Sequence, residues 1–217
     1  MYPKGNLEIE ASHGKLEAIL KLPNGEIEGA ALVCHPHPLG GGTMHNKVVY
    51  RVAAGLLEAN LVTLRFNFRG VGASTGAHDD GIGERQDVKD ALSYLTENYA
   101  GEEITLAGFS FGSRVGTEVA LEDKRVKRII SIGTPVDKYD FSFLEACRKP
   151  ILFVHGDADE HGALENVKSL YRRIAENTDA TLVAFENCGH FFDNHLNELK
   201  DAIRDWTAEK MQKQAQK

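Results

Sequence analysis

The chain has 217 residues, 42% hydrophobic and 26% charged, an ordinary globular balance that can bury a substantial core without disulfide or metal staples. A formal net charge of -7, with no cluster of Lys and Arg interleaved with aromatic residues, argues against nucleic acid as a partner. No apolar run approaches the roughly 18 residues of a membrane span, and Met1 to Asn6 lacks a signal-like apolar stretch, so a soluble, cytoplasmic protein is expected.

Taken in order, Leu7 to Ile9 and Leu16 to Leu22 alternate apolar and polar residues around Ser12-His13-Gly14, which predicts an antiparallel hairpin with one solvated face. Gly29 to Cys34 is a continuous apolar run of strand length, as in a parallel strand covered on both sides. The loop His35-Pro36-His37-Pro38-Leu39-Gly40-Gly41-Gly42 follows it. Val48, Val49, Val52, Leu56 and Leu57 recur at helical spacing, and Val62 to Phe66 is the next strand. A second glycine loop, Arg69 to Gly76, precedes a helix whose stripe is Val88, Ala91, Leu92 and Leu95.

Ile104 to Ala107 is then a strand and Ser113 to Glu122 a helix. Val126 to Ile132, Ile151 to Val154 and Thr181 to Phe185 complete the strands, with helices over Leu164 to Ile174 and Leu196 to Trp206. Strands alternating with helices predict right-handed crossovers and a mostly parallel α/β sheet with helices on both faces. With no repeat or linker, one domain over residues 1–217 is expected, residues from about 209 onward forming a frayed polar tail. Cys34, Cys147 and Cys188 are odd in number and show no CxxC spacing, so buried thiols are expected rather than a disulfide framework or a zinc knuckle.

Between the strand at Ile104 and the helix at Ser113 lies Gly108-Phe109-Ser110-Phe111-Gly112. Gly-x-Ser-x-Gly at a strand-to-helix turn is the nucleophile-elbow pattern, in which small neighbours let a strained turn expose the serine oxygen. The same pattern occurs in ordinary glycine turns, so Ser110 gains weight from what stands at the other strand ends. In open α/β sheets ligands sit beyond the carboxyl ends of the strands. There the chain places His155-Gly156-Asp157-Ala158-Asp159 and Asn187-Cys188-Gly189-His190. A serine hydroxyl needs a histidine to take its proton, and that histidine needs a carboxylate behind it. Ser110, Asp159 and His190 are the expected set, with Asp157 the rival acid because a carboxylate so near a strand end often serves only loop amides.

An oxyanion needs two donors. One is expected from the Phe111 amide at the head of the helix, the other from the loop after Cys34. Pro36 and Pro38 have no amide hydrogen, which leaves Leu39 as first choice and His37 as second. His35 and His37, with His45 nearby, suggest a metal set only weakly, because prolines hold the segment extended and no carboxylate stands at a fitting spacing. No cofactor is expected. Phe109, Phe111, Phe191 and Phe192 fit either an apolar acyl pocket or the core, and His161 and His195 are read as surface residues.

Three motifs together carry a resemblance: His-Pro-His-Pro-Leu at His35 with Gly-Gly-Thr-Met ending at Met44, Arg-Phe-Asn-Phe-Arg-Gly-Val-Gly-x-Ser at Arg65 to Ser74, and Gly-Phe-Ser-Phe-Gly at Gly108 to Gly112. The chain resembles the small, lidless, esterase-like α/β-hydrolases. That resemblance implies the acid at Asp159 and the base at His190, within Gly-Asp-Ala-Asp and Gly-His-Phe-Phe. The expected activity is that of a serine carboxylesterase on small or short-acyl esters, since only Thr134 to Lys149 is available where many lipases carry a lid. Thioester hydrolysis or acyl transfer would use the same residues, and a non-catalytic binding protein is the contrasting reading. An edge strand at the hairpin or the last strand would serve a homodimer.

Overall fold

The computed structural model describes residues 5–215. Eight strands form one sheet: β1 (Leu7–Ala11), β2 (Gly14–Lys21), β3 (Gly29–Cys34), β4 (Leu61–Phe66), β5 (Ile104–Phe109), β6 (Val126–Ile132), β7 (Ile151–Gly156) and β8 (Ala180–Phe185). Their order is β1-β2-β4-β3-β5-β6-β7-β8. The hairpin β1–β2 joins β4 antiparallel, and every pairing from β4 onward is parallel. This is the mostly parallel α/β sheet, with an antiparallel N-terminal hairpin, expected from the strand and helix alternation.

Period-two alternation along the central strands divides the apolar side chains between two cores. Ala30, Leu32 and Cys34 of β3 face one helical layer, while Ala31 and Val33 face the other. The first layer holds α2 (Ile82–Asn98), α3 (Phe111–Glu122) and α4 (Leu164–Ala175), whose Val88, Val115 and Leu170 bury there. The second holds α1 (Lys47–Glu58) and α5 (Leu196–Ala215), through Val52, Leu56, Leu199 and Trp206. Continuous apolar strands are stable only when both faces are covered, and here all six residues of β3, β4, β5 and β7 are buried.

Among the boundaries that differ from the sequence reading, two bear on the site and the core. The helix after β5 begins at Phe111, immediately after Ser110, because Ser113 N–H and Arg114 N–H already donate to Ser110 O. The expected frayed tail from residue 209 continues α5 to Ala215 instead. Lys210 is only 5% exposed and pairs with Asp179 at 2.8 Å, and Met211 packs beside the second core. The amphipathic face that begins at Leu199 therefore carries on past Trp206. Residues 216 and 217 of that expectation lie outside the described residues.

Among the described residues no helix is long and apolar enough to cross a membrane. The connection from β6 to β7 carries only a 3-10 turn at Ser142–Ala146, so among the described residues this connection places no α-helix over the carboxyl ends of the central strands.

Candidate active site

The site begins with the backbone of Ser110, which takes φ 57° and ψ -121°, a conformation a non-glycine residue adopts only when its surroundings impose it. Its N–H donates to Ile132 O at 2.9 Å, and Ser113 Oγ donates to Ser110 O at 2.7 Å. The two glycines explain how the turn can be so tight. A Cβ on Gly108 would lie 2.3 Å from Gly112 O, and one on Gly112 would lie 2.5 Å from the carbonyl oxygens of Cys34 and His35. Bare backbone at both positions seats the start of α3 directly on the end of β3, and Ser110 stands at the junction, 9% exposed.

Ends of β7 and β8 deliver the other two groups. Asp157 and the loop after β8 stitch these ends together: Cys188 N–H donates to Asp157 Oδ1 at 3.1 Å, and Ala158 N–H to Cys188 O at 3.0 Å. Asp157 thus spends its carboxylate on a loop amide. Asp159 turns inward, with Oδ2 2.8 Å from His190 Nδ1 and Oδ1 accepting the His161 N–H at 2.8 Å. His190 Nε2 lies 2.9 Å from Ser110 Oγ.

Protonation follows from these contacts. Burial raises the Asp159 carboxyl, but the hydrogen bond and charge of His190 and the His161 amide outweigh it and hold the group below its ordinary value. An ionised Asp159 only accepts, so His190 Nδ1 carries the hydrogen and Nε2 receives the Ser110 hydroxyl. Phe109 packs under the His190 ring at 4.9 Å, and Gly133, at φ 53°, leaves room for it where a Cβ would come within 3.2 Å of Cε1 and Nδ1.

The loop after β3 is shaped around two histidines. His35 is buried; Phe68 N–H donates to its Nε2 at 3.0 Å, so Nδ1 bears the hydrogen and donates to Pro36 O at 2.6 Å. Burial drives this imidazole down to about 4, keeping it neutral. His37 caps a 3-10 turn, Pro38–Gly40, by accepting the Leu39 N–H on Nδ1 at 3.2 Å. The Leu39 amide is therefore already engaged, and its side chain is 76% exposed. The His37 amide makes no hydrogen bond among the described residues, and its ring lies 4.7 Å from that of Phe111. The amides of Phe111 and Gly112 head α3 with no acceptor inside the helix.

Sequence reasoning missed two residues. His161, read as a surface group, sets its ring edge-on to His190 at 4.4 Å while its amide serves Asp159. His155 lies buried beneath the acid. Its place at a strand end next to Gly-Asp-Ala-Asp was the available signal, but nothing in the spacing revealed its orientation. Of the four phenylalanines, Phe109, Phe111 and Phe192 are buried, and Phe191 alone is open to solvent, 41% exposed beside His190. No group of three or more His, Cys, Asp or Glu among the described residues is placed to hold a metal ion.

The fold that brings these three side chains together has counterparts among known proteins. The model of the dienelactone hydrolase family matches residues 77–216. The chain belongs to that family. Among solved structures, an α/β serine hydrolase homologue from Coxiella burnetii is 38% identical, covering 94% of this chain and 99% of that one, with a TM-score of 0.84. A Xanthomonas campestris protein described as an α/β serine hydrolase without a lid is 32% identical over 94% of both chains, with a TM-score of 0.85. An uncharacterised protein of Rickettsia prowazekii is 36% identical over 202 residues, 85% of each chain. This dienelactone hydrolase family member is a hydrolase of the α/β-hydrolase superfamily.

Proposed function

We propose that the protein is a serine carboxylesterase acting on small or short-acyl esters through an acyl-enzyme. The observation that carries this reading is the unbroken chain from Ser110 Oγ to His190 Nε2 at 2.9 Å and from His190 Nδ1 to Asp159 Oδ2 at 2.8 Å. Ser110 Oγ attacks the ester carbonyl carbon while His190 Nε2 takes its proton, and Asp159 holds the imidazolium that results. The tetrahedral oxygen is received by the Phe111 amide, and by the His37 amide in preference to that of Leu39, whose hydrogen is already spent on His37 Nδ1. His190 then returns the proton to the departing alcohol oxygen. Water attacks the acyl-enzyme under the same base, releasing the acid and restoring Ser110.

The preference for short acyl groups follows from the lack of cover. With only a 3-10 turn between β6 and β7, apolar side chains at the rim such as Phe191, Leu39 and Ile82 stand exposed rather than covered by a lid helix. A long alkyl chain would remain in water and gain little of the about 0.8 kcal/mol that each buried methylene contributes.

The test is hydrolysis of p-nitrophenyl esters from acetate to decanoate, with wild type beside Ser110→Ala. Rates falling with chain length and abolished in the variant are expected. A fluorophosphonate that labels wild type but not Ser110→Ala would identify the nucleophile directly. Folded wild type that neither turns over these esters nor takes the label would favour a binding protein on the same fold.

A further inference from the structure

We infer that His155 is the positioning residue for Asp159: a buried imidazole that clasps the acid-bearing loop shut and leaves the carboxylate's charge to His190. This rests on the proposed roles of Ser110, His190 and Asp159.

His155 sits at the end of β7, paired with Ala184 of β8. Its Nε2 lies 2.6 Å from Gly162 O, seven positions along the chain, and 3.7 Å from Asp159 Oδ2. A carbonyl oxygen only accepts, so Nε2 carries the hydrogen. The side chain thereby joins the two ends of the loop that holds Asp159. Gly162 is wedged on its far side, where a Cβ would fall 2.4 Å from Thr134 O. That contact ties the clasp to the strand end whose Gly133 packs on His190. Asp159 is thus framed by the same backbone that frames its partner.

The tautomer has a cost. With the hydrogen on Nε2, Nδ1 is a bare acceptor, and it is buried with no hydrogen-bond partner among the described residues. Leaving such an atom unpaired disfavours the folded state. An apolar ring would avoid that cost but would take away the donor that Gly162 O receives. Charge supplies the second half of the role. Asp159 Oδ2 is the oxygen that faces both histidines, at 2.8 Å from His190 and 3.7 Å from His155. The groups facing His155 are Asp159 on its own loop, His190 after β8 and Asp137 after β6; burial outweighs the two carboxylates and holds the imidazole below its ordinary value. A cationic His155 would compete for the charge that stabilises the His190 imidazolium. A neutral one positions without competing.

The experiment compares wild type, His155→Phe and His155→Gln, the last placing an amide donor at similar reach. With p-nitrophenyl acetate, His155→Phe is expected to lower kcat about 10- to 100-fold at nearly constant KM, as misplacement of a catalytic group does. The acidic limb of its kcat/KM profile should move to lower pH, and His155→Gln should recover most of the rate. Nitrogen-15 imidazole spectra of wild type at pH 7 should show His155 as the neutral Nε2–H form, the tautomer that the Gly162 carbonyl selects. The low-field proton of His190 Nδ1 should weaken in His155→Phe and persist in His155→Gln. If His155→Phe does not fold, His155→Asn, too short to reach Gly162 O, replaces it with the same expectations. Wild-type kcat and pH profile in the Phe or Asn variant overturn the inference, as does an unchanged His190 Nδ1 proton or a His155 found cationic or as the Nδ1–H form at pH 7. The NMR arm needs no turnover. Activity surviving in Ser110→Ala defeats the triad reading, while the His190 signal separately decides the role of His155.

Discussion

The amide of Phe68 donates to Nε2 of His35 at 3.0 Å, joining the loop after β4 to the loop after β3 through one buried neutral imidazole. That bond holds the His35-to-Leu39 turn over the start of α3, where the proposed oxyanion donors converge. The same imidazole sets a pH dependence. Its folded value of about 4 lies below the ordinary 6.5, so the unfolded chain binds the proton more readily. The stabilisation is fully present above pH 6.5 and is lost as pH falls toward 4, by about 2–3 kcal/mol. Urea unfolding at several pH values should show this loss in wild type and a shallower slope in His35→Asn.

Asp157 and Asp159 lie two residues apart, yet face different partners. Asp159→Asn should lower kcat by roughly 10,000-fold, because the imidazole loses the acceptor that sets its tautomer. Asp157→Ala removes only the acceptor of Cys188 N–H. It should cost about 1 kcal/mol of stability and change kcat by less than about threefold. Parallel kinetics and denaturant melts of the two variants check the assignment; equal losses of kcat would contradict it.

His37 has φ -52°, which proline tolerates, so its amide hydrogen can be deleted without forcing the backbone. His37→Pro is expected to lower kcat by roughly 100- to 1,000-fold, the usual cost of one oxyanion donor. His37→Ala, which keeps the amide and loses the same ring contacts with Leu39 and Phe111, should retain most activity. Matching defects in the two variants would return the second donor to Leu39.

Gly112→Ala would push a methyl against the carbonyl oxygens of Cys34 and His35 at 2.5 Å, and both belong to the end of a central strand that cannot retreat. We expect a loss of about 3 kcal/mol or more, read as a lower urea midpoint or as insoluble protein. Wild-type stability in this variant would mean that α3 does not seat on β3 as described.

Much of this was legible before any coordinates. The continuous apolar runs of β3, β5 and β7 announce doubly covered strands, and Gly108-Phe109-Ser110-Phe111-Gly112 announces the elbow, because strand periodicity and tight-turn chemistry are local properties of the chain. The extent of α5 was not legible, since whether Lys210 and Met211 fray or pack depends on Asp179 and on the core they meet. Nor were His155 and His161, whose importance lies in a carbonyl and a ring brought to them by the closing of a loop.

By itself, then, the sequence determined the layered α/β architecture, the strained turn at Ser110 and the appearance of acidic and histidine-bearing loops at the strand ends. Each of these follows from interactions between residues close in the chain. Tertiary structure decided the rest: which carboxylate turns toward His190, which amide after β3 stays free, and that groups eighty positions apart meet at 2.9 Å. Those outcomes depend on the side-by-side alignment of β3, β5, β7 and β8, which long-range packing establishes and no local pattern encodes.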